Sequence, residues 1–252
     1  MNALWKPMPY FVLRDLNQLS EMKRNNISQG IAAIKLFIVI CLKSENDENS
    51  NISAGLTYDE FTKLCSLSRK LVNEGLRYLE RIKVIQVVGV RKKRYVLNNC
   101  KRIDKENKLT YFDTTNGFWC KLPYRGLVDE NGRITAFESM TNRSLIELNS
   151  LKLFLYLLMI RSRNELHSSV TLKTLRKRFS MTYQEIATAI GFLQSLGLLE
   201  KVSIGANSTI SYDDRTAIEF LVCGWRTLEW KPNYMKDEQW VQKEKQVLER
   251  FV

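Results

Sequence analysis

The chain repeats itself at a distance of 114 residues, and no other feature constrains its fold as much. Near the N-terminus stands "WKPMPY", Trp5 to Tyr10, and "WCKLPY" follows from Trp119 to Tyr124. Trp5, Pro9, Tyr10 and Leu13 fall on Trp119, Pro123, Tyr124 and Leu127. "IKLFIVICL" (34–42) matches "LKLFLYLLM" (151–159) at a shift of 117. The stretch 56–88 then matches 170–202, back at 114. There the pairs Phe61/Leu175, Leu67/Met181, Val72/Ile186, Leu76/Ile190, Leu79/Leu193, Ile82/Leu196 and Ile85/Leu199 all stay apolar. Chance similarity between two amphipathic segments would not keep that phase through successive helices and a strand.

Each copy reads the same way. "GIAAIKLFIVICL" is a core helix, followed by a polar loop rich in Asn and Ser. Thr57 with Glu60 three residues on predicts a capping box opening a short helix. After the turn "CSLS", Ser68 caps a longer helix whose apolar face is Leu71, Val72, Leu76, Leu79 and Ile82. "VIQVVGV" and "RYVL" predict two strands joined by a turn from Gly89 to Lys93. The second copy offers "LNSLKLFLYLLMI", "VTLKTLRKRF", the turn "SMT", "YQEIATAIGFLQSL" and then the strands "LLEKVSI" and "TISY".

This order resembles the winged helix-turn-helix family, and the resemblance covers roughly 31–97 and 148–212. The junctions "LRYLERIKVIQVV" and "IGFLQSLGLLEKV" are similar to the family's passage from recognition helix to first wing strand. Gly197 takes the helix-ending position and Lys83 stands there in the first copy. The expected fold is α+β and helix-rich: two tandem winged-helix domains from an internal duplication, plus a C-terminal helix. The expected boundaries are 1–98, a linker at 99–117, a second domain at 118–230 and an amphipathic helix at 231–252.

What the resemblance implies for function has to be weighed against charge. Lys and Arg number 39 against 27 Asp and Glu, a net +12 that favours polyanionic partners. In a helix-turn-helix the second helix enters the major groove. In copy one it would expose Arg69, Lys70, Asn73 and Arg77, types suited to guanine and adenine edges. Arg91, Lys92, Lys93 and Arg94 lie consecutively at the wing tip, where they suit phosphates or a narrow minor groove. Any single one of these reads more readily as a solvated surface charge; the joint pattern favours DNA. Copy two offers Tyr183, Gln184, Thr188 and Gln194 on its groove helix, with Ala187 and Gly191 in place of Asn73 and Arg77. Its charge sits one helix earlier, as Lys173, Arg176, Lys177 and Arg178, where helix-turn-helix docking brings backbone phosphates. Docking of the second wing on another subunit is the alternative for this copy.

The expected function is therefore sequence-specific binding of double-stranded DNA, as a transcriptional regulator. The alternative is a plasmid or phage replication initiator binding origin repeats. Two-domain plasmid initiators are similar in length and duplicated layout, with no diagnostic motif carried over. The single His167 and five dispersed cysteines supply no metal-ligand spacing, and no nucleotide or nucleophile motif occurs. No enzyme activity, cofactor or metal is expected. The longest apolar runs reach about half a membrane span and each carries a Lys, so a cytoplasmic protein with no membrane partner is expected. Trp240, Val247, Leu248 and Phe251 form a stripe on the terminal helix that either folds back or pairs with a second chain, and a homodimer is expected. The Trp and Tyr of the two N-terminal echoes are expected to pack on the first helix of each copy; stacking on DNA or a partner is the other reading.

Overall fold

The computed structural model describes residues 4–9, 26–46, 52–98, 101–103, 109–111, 119–162, 165–204, 217–228 and 235–251. It is a mixed α+β chain with small antiparallel sheets. Two long helices form its centre, α1 (Ile27–Lys43) and α5 (Leu145–Ile160). Both are apolar around most of their circumference, and such a helix must be enclosed on all sides. Residues 30–42 of α1 and 147–158 of α5 are buried without interruption. The two helices pack on each other, and buried residues from both halves of the chain form one continuous core.

Around α1 lie a short helix α2 (Tyr58–Cys65) and a longer helix α3 (Arg69–Arg81). A four-stranded sheet completes this half, in the order β2 (Glu45–Asn46), β3 (Ile52–Ala54), β5 (Arg94–Leu97), β4 (Ile85–Val88). Around α5 lie α6 (Leu172–Phe179) and α7 (Tyr183–Ser195). Their sheet runs β9 (Ser168–Thr171), β11 (Ala217–Val222), β10 (Leu199–Ile204). The bounds of α2 and α6, and of α3 and α7, differ by 114 at both ends. Left-handed backbone recurs at the same offset, at Ser66 and Ser180 and again at Lys83 and Gly197.

The local signals in the sequence account for these elements. Thr57 and Glu60 close the capping box of α2, and the Ser68 hydroxyl accepts from Leu71 N at the start of α3. Thr182 with Glu185 does the same for α7. The predicted α3 stripe faces α1, with Val72, Leu76 and Leu79 buried and Leu71 and Ile82 at its margins. Gly75 lets the helices touch: a Cβ there would lie 2.5 Å from Leu36 Cδ1 and 3.1 Å from the Ala32 backbone. Lys83 holds φ 58 where Gly197 holds φ 70, so the first copy bears the cost of a side chain in left-handed backbone. Lys83→Gly should raise stability by about 1 kcal/mol, read as a higher urea midpoint at unchanged slope. Gly197→Ala should move the midpoint the opposite way; equal midpoints for either variant and the wild type would refute the assignment.

Three expectations change, and one of two open alternatives is realised. The strand returning to β10 is Ala217–Val222, while 209–212 lies outside the described residues. "AIEFLV" buries Phe220, Leu221 and Val222. Trp5 and Trp119 do not rest singly on the first helices; their rings stack on each other, 5.3 Å between centroids and 14° between planes. They are carried by β1 (Trp5–Pro9) and β8 (Trp119–Pro123), which pair antiparallel with Pro7 opposite Lys121. Between the halves, β6 (Lys101–Ile103) and β7 (Leu109–Tyr111) form a hairpin within the expected linker. The terminal stripe, finally, folds back. Helix α9 (Asp237–Glu249) buries Val247 against Leu166, Leu221 and Trp225, with Trp240, Leu248 and Phe251 packed beside it. Val247 is buried within the chain, and Trp240, Leu248 and Phe251 are half-buried beside it.

The remaining helices are short. Helix α4 (Thr135–Glu138) precedes α5, and α8 (Trp225–Leu228) precedes α9; nine helices occur among the described residues. Helix α4 positions the Phe137 carbonyl, which with the Cys65 carbonyl accepts from the buried Lys35 ammonium at 2.9 and 3.3 Å. Burial pulls the Lys35 pKa down to about 8, against the opposing pull of Cys65 and Glu147. Lys152, the equivalent residue of α5, is also lowered to about 8 by burial. No helix among the described residues is long and apolar enough to cross a membrane.

Candidate nucleic-acid interface

Helix α3 enters from a turn that two distant groups fix. Ser66 takes a left-handed conformation that ends α2, and its carbonyl accepts from Asn142 Nδ2 at 3.0 Å. With Lys35 holding the Cys65 carbonyl, the turn is clamped from both sides. Helix α3 then presents Arg69 and Lys70 in its first turn, and Arg77 past its middle, to solvent opposite the buried stripe. Arg69 pairs with Asp59 of α2 and Lys70 lies 3.9 Å from Glu74, all on the surface. Such pairs contribute little stability, so a polyanion can displace them at small cost.

Asn73 corrects the expectation that all four α3 residues project outward. It is half-buried, and its Oδ1 accepts from the Tyr58 hydroxyl at 3.3 Å. The reason is geometric: position 73 follows the buried Val72 on the flank of the helix that faces α2. Tyr58 is the residue that sequence reasoning missed. As the first residue of α2 it lies between elements, and the Lys93 ammonium sits 5.7 Å from its ring centroid. One phenol thus ties helix α3 to the β4–β5 hairpin. An aromatic directly after a capping Thr was the only available sign of this.

The hairpin carries the rest of the charge. Gly89 adopts φ 89 and would place a Cβ 2.4 Å from the Lys92 carbonyl oxygen, so only glycine closes this turn. Arg91, Lys92 and Lys93 project from it, all exposed, with Val90 93% exposed at the tip. Arg94 is not on the tip. It opens β5, and its Nε donates to Ser53 Oγ of β3 at 3.0 Å, which bends it toward the sheet. Three cations rather than four therefore form the free end of the hairpin.

The second half arranges its charge differently. Lys173, Arg176 and Lys177 of α6, with Ser180, Met181 and Thr182, line an open depression of about 500 Å³ at the start of α7. Arg176 stacks on the Tyr183 ring, 4.3 Å from its centroid, and donates to the Tyr183 hydroxyl at 2.9 Å. Arg178 lies apart, 5.9 Å from the Tyr156 ring centroid. On α7, Tyr183 and Gln184 are exposed, whereas Thr188 is half-buried and donates its hydroxyl to the Gln184 carbonyl at 2.7 Å. That bond occupies the Thr188 proton and leaves its oxygen as an acceptor. Gln194 is exposed, and Ala187 and Gly191 leave the middle of this face without long side chains. The hairpin tip beyond β10 lies outside the described residues.

Burial pushes the Cys120 thiol up to about 12 and raises Cys65 and Cys223 as well, so none of the three forms a thiolate at neutral pH. Among the described residues, no cluster of three or more His, Cys, Asp or Glu side chains could hold a metal. His167 is buried beside α9 with Nε2 3.5 Å from Glu219 and its ring edge-on to Phe251. What this surface does offer is fixed cations on two helices and a hairpin.

No family model, no curated protein and no solved structure matches this chain. Its function is therefore argued from its own residues.

Proposed function

We propose that this chain binds double-stranded DNA sequence-specifically through two winged helix-turn-helix units that arose by internal duplication, and that it acts as a transcriptional regulator. One observation carries the reading: Lys70 and Arg77 on α3 and Arg91, Lys92 and Lys93 on the hairpin are all exposed, and both elements border the same residue, Tyr58. A helix with a basic hairpin beside it matches a major groove and an adjacent backbone or minor groove. The net charge of +12 adds long-range attraction to phosphates. Two such units in one chain also suit an initiator that binds origin repeats. The layout alone favours that second reading, and the positions of bound sites on the source DNA separate the two.

The test is to bind the purified chain to fragmented genomic DNA, recover the retained fragments and titrate salt. Tight retention of a few fragments is expected, with log K falling against log salt at about −0.9 per neutralised phosphate. Equal retention of all fragments would remove the sequence-specific part. Failure to retain any DNA at about 50 mM salt, where such binding is strong, would end the DNA reading and leave the basic surface to another partner.

A further inference from the structure

The principal contacts between the two halves are contacts of like with like. Strands β1 and β8 occupy equivalent places in the repeat, 114 residues apart, and they pair with each other antiparallel. Their register sets Pro7 opposite Lys121, which is its own equivalent. Trp5 stacks on Trp119, again its equivalent, and α1 packs on α5, the two central helices. When a surface meets its own copy, the operator is a two-fold rotation; a translation or screw would bring unlike surfaces together. An approximate two-fold axis therefore passes between Pro7 and Lys121, and it relates α3 to α7.

Given the DNA-binding reading above, on which this rests, we propose that one chain recognises a single composite site made of two half-sites in inverted orientation and of different sequence. The inversion follows from the axis. B-DNA has local two-fold axes perpendicular to its length, and reading heads related by a two-fold meet half-sites that run in opposite directions. Direct repeats would require the heads to be related by translation along the duplex. The difference in sequence follows from the side chains. At equivalent places α3 carries Lys70 and Arg77, while α7 carries Gln184 and Gly191. Lys and Arg favour guanine edges, whereas Gln favours adenine and Gly reads nothing. One half-site is thus specified by cations on α3 and by the hairpin. The other is read weakly at its bases and held through phosphates by Lys173 and Lys177. A homodimer is not needed to supply the second head.

The experiment is selection of bound sequences from a randomised duplex library, using the full chain, with the stoichiometry of the selected complex read by native mass spectrometry. The expected outcome is one chain per duplex on two inverted, unequal half-sites about one helical turn apart. Reversing one half-site in place, which turns the site into a direct repeat, should then weaken binding about 100-fold, as for two mismatched base pairs. The variant Gln184→Lys with Gly191→Arg gives α7 the α3 residues, and Gly191 has no atom within 4 Å of an added Cβ. It should drive the selected site toward a true palindrome. Selection of direct repeats, of a single half-site, or of two chains per site would overturn the inference while leaving DNA binding intact. Failure to select any DNA would overturn both.

Discussion

Replacing Gly126 with alanine is expected to lower the midpoint of thermal unfolding by about 10 °C, a loss of about 3 kcal/mol for a chain of this size. Gly126 lies in the turn after β8, against the turn that follows β11. A Cβ there would stand 2.5 Å from Gly224 N, 2.6 Å from Cys223 C and 2.7 Å from Cys223 O. All three are backbone atoms, so no side chain can rotate away, and the two turns must separate. The close approach is reciprocal: Gly224 holds φ 61, and a Cβ on it would lie 2.9 Å from Gly126 Cα. Cys223 N donates to the Leu198 carbonyl, so the displacement would pass into the end of the β10–β11 pair. Gly191→Ala is the contrasting substitution. It sits in the interior of α7 with open space around it and should gain about 1 kcal/mol from helix propensity. Differential scanning calorimetry of both variants decides the matter. A midpoint for Gly126→Ala within about 2 °C of wild type, less than 1 kcal/mol would produce, would show that the close approach costs nothing.

Changing Arg91, Lys92 and Lys93 together to serine is expected to weaken binding to a selected duplex about 100-fold near 0.1 M salt. The slope of log K against log salt should also become shallower by about 3, one unit for each phosphate no longer neutralised. The three side chains are exposed on a turn that Gly89 closes by itself, so the hairpin should persist. Lys93 rests against the Tyr58 ring, an interaction worth about 0.5 kcal/mol at an exposed site, and its removal is a small perturbation. Arg94 is left in place because its bond to Ser53 belongs to the sheet. As a comparison, Lys245→Ser with Arg250→Ser removes two exposed charges, one on α9 and one at its C-terminal cap. Fluorescence anisotropy across a salt series distinguishes the two. An unchanged slope in the hairpin variant, or an equal loss in the α9 variant, would mean that only net charge matters.

Much of this fold was written in local signals. The 114-residue offset, the capping pairs Thr57/Glu60 and Ser68, and the Val72/Leu76/Leu79 stripe each act within a few residues, and each appears where its spacing puts it. The lysine in each central run, Lys35 and Lys152, looked like an argument against membrane insertion; both turn out to be buried ammonium groups with lowered pKa values. The features that could not be read ahead are those decided by distant partners. A strand's own residues do not say which strand it joins, so β1 pairing with β8 was invisible although both segments were marked as equivalent. Asn73 falls on the polar side of its helix by count, yet the Tyr58 hydroxyl draws it under α2. In the second half the apolar "IEFLVCGWRTLEW" reads as a strand or a helix closing the domain, and the structure makes it a strand, Ala217–Val222, and then a short helix, Trp225–Leu228. The site was legible as a set of charges and less so as an arrangement: sequence could name Arg94 as cationic but not turn it toward Ser53.

The β1–β8 ribbon has a consequence for the chain as it leaves the ribosome. Strand β1 is made 114 residues ahead of its partner, which ends at Pro123. At about 5–20 residues per second, β1 waits on the order of ten seconds with its hydrogen-bonding edge and Trp5 open to solvent. Two chains on one polysome can meet in that interval. Each then offers an unfilled edge that the other's β8 fits as well as its own, which is the condition for exchange of strand β1 between neighbours. Slow translation between the halves would lengthen the exposure, and a chaperone that covers Trp5 would shorten it.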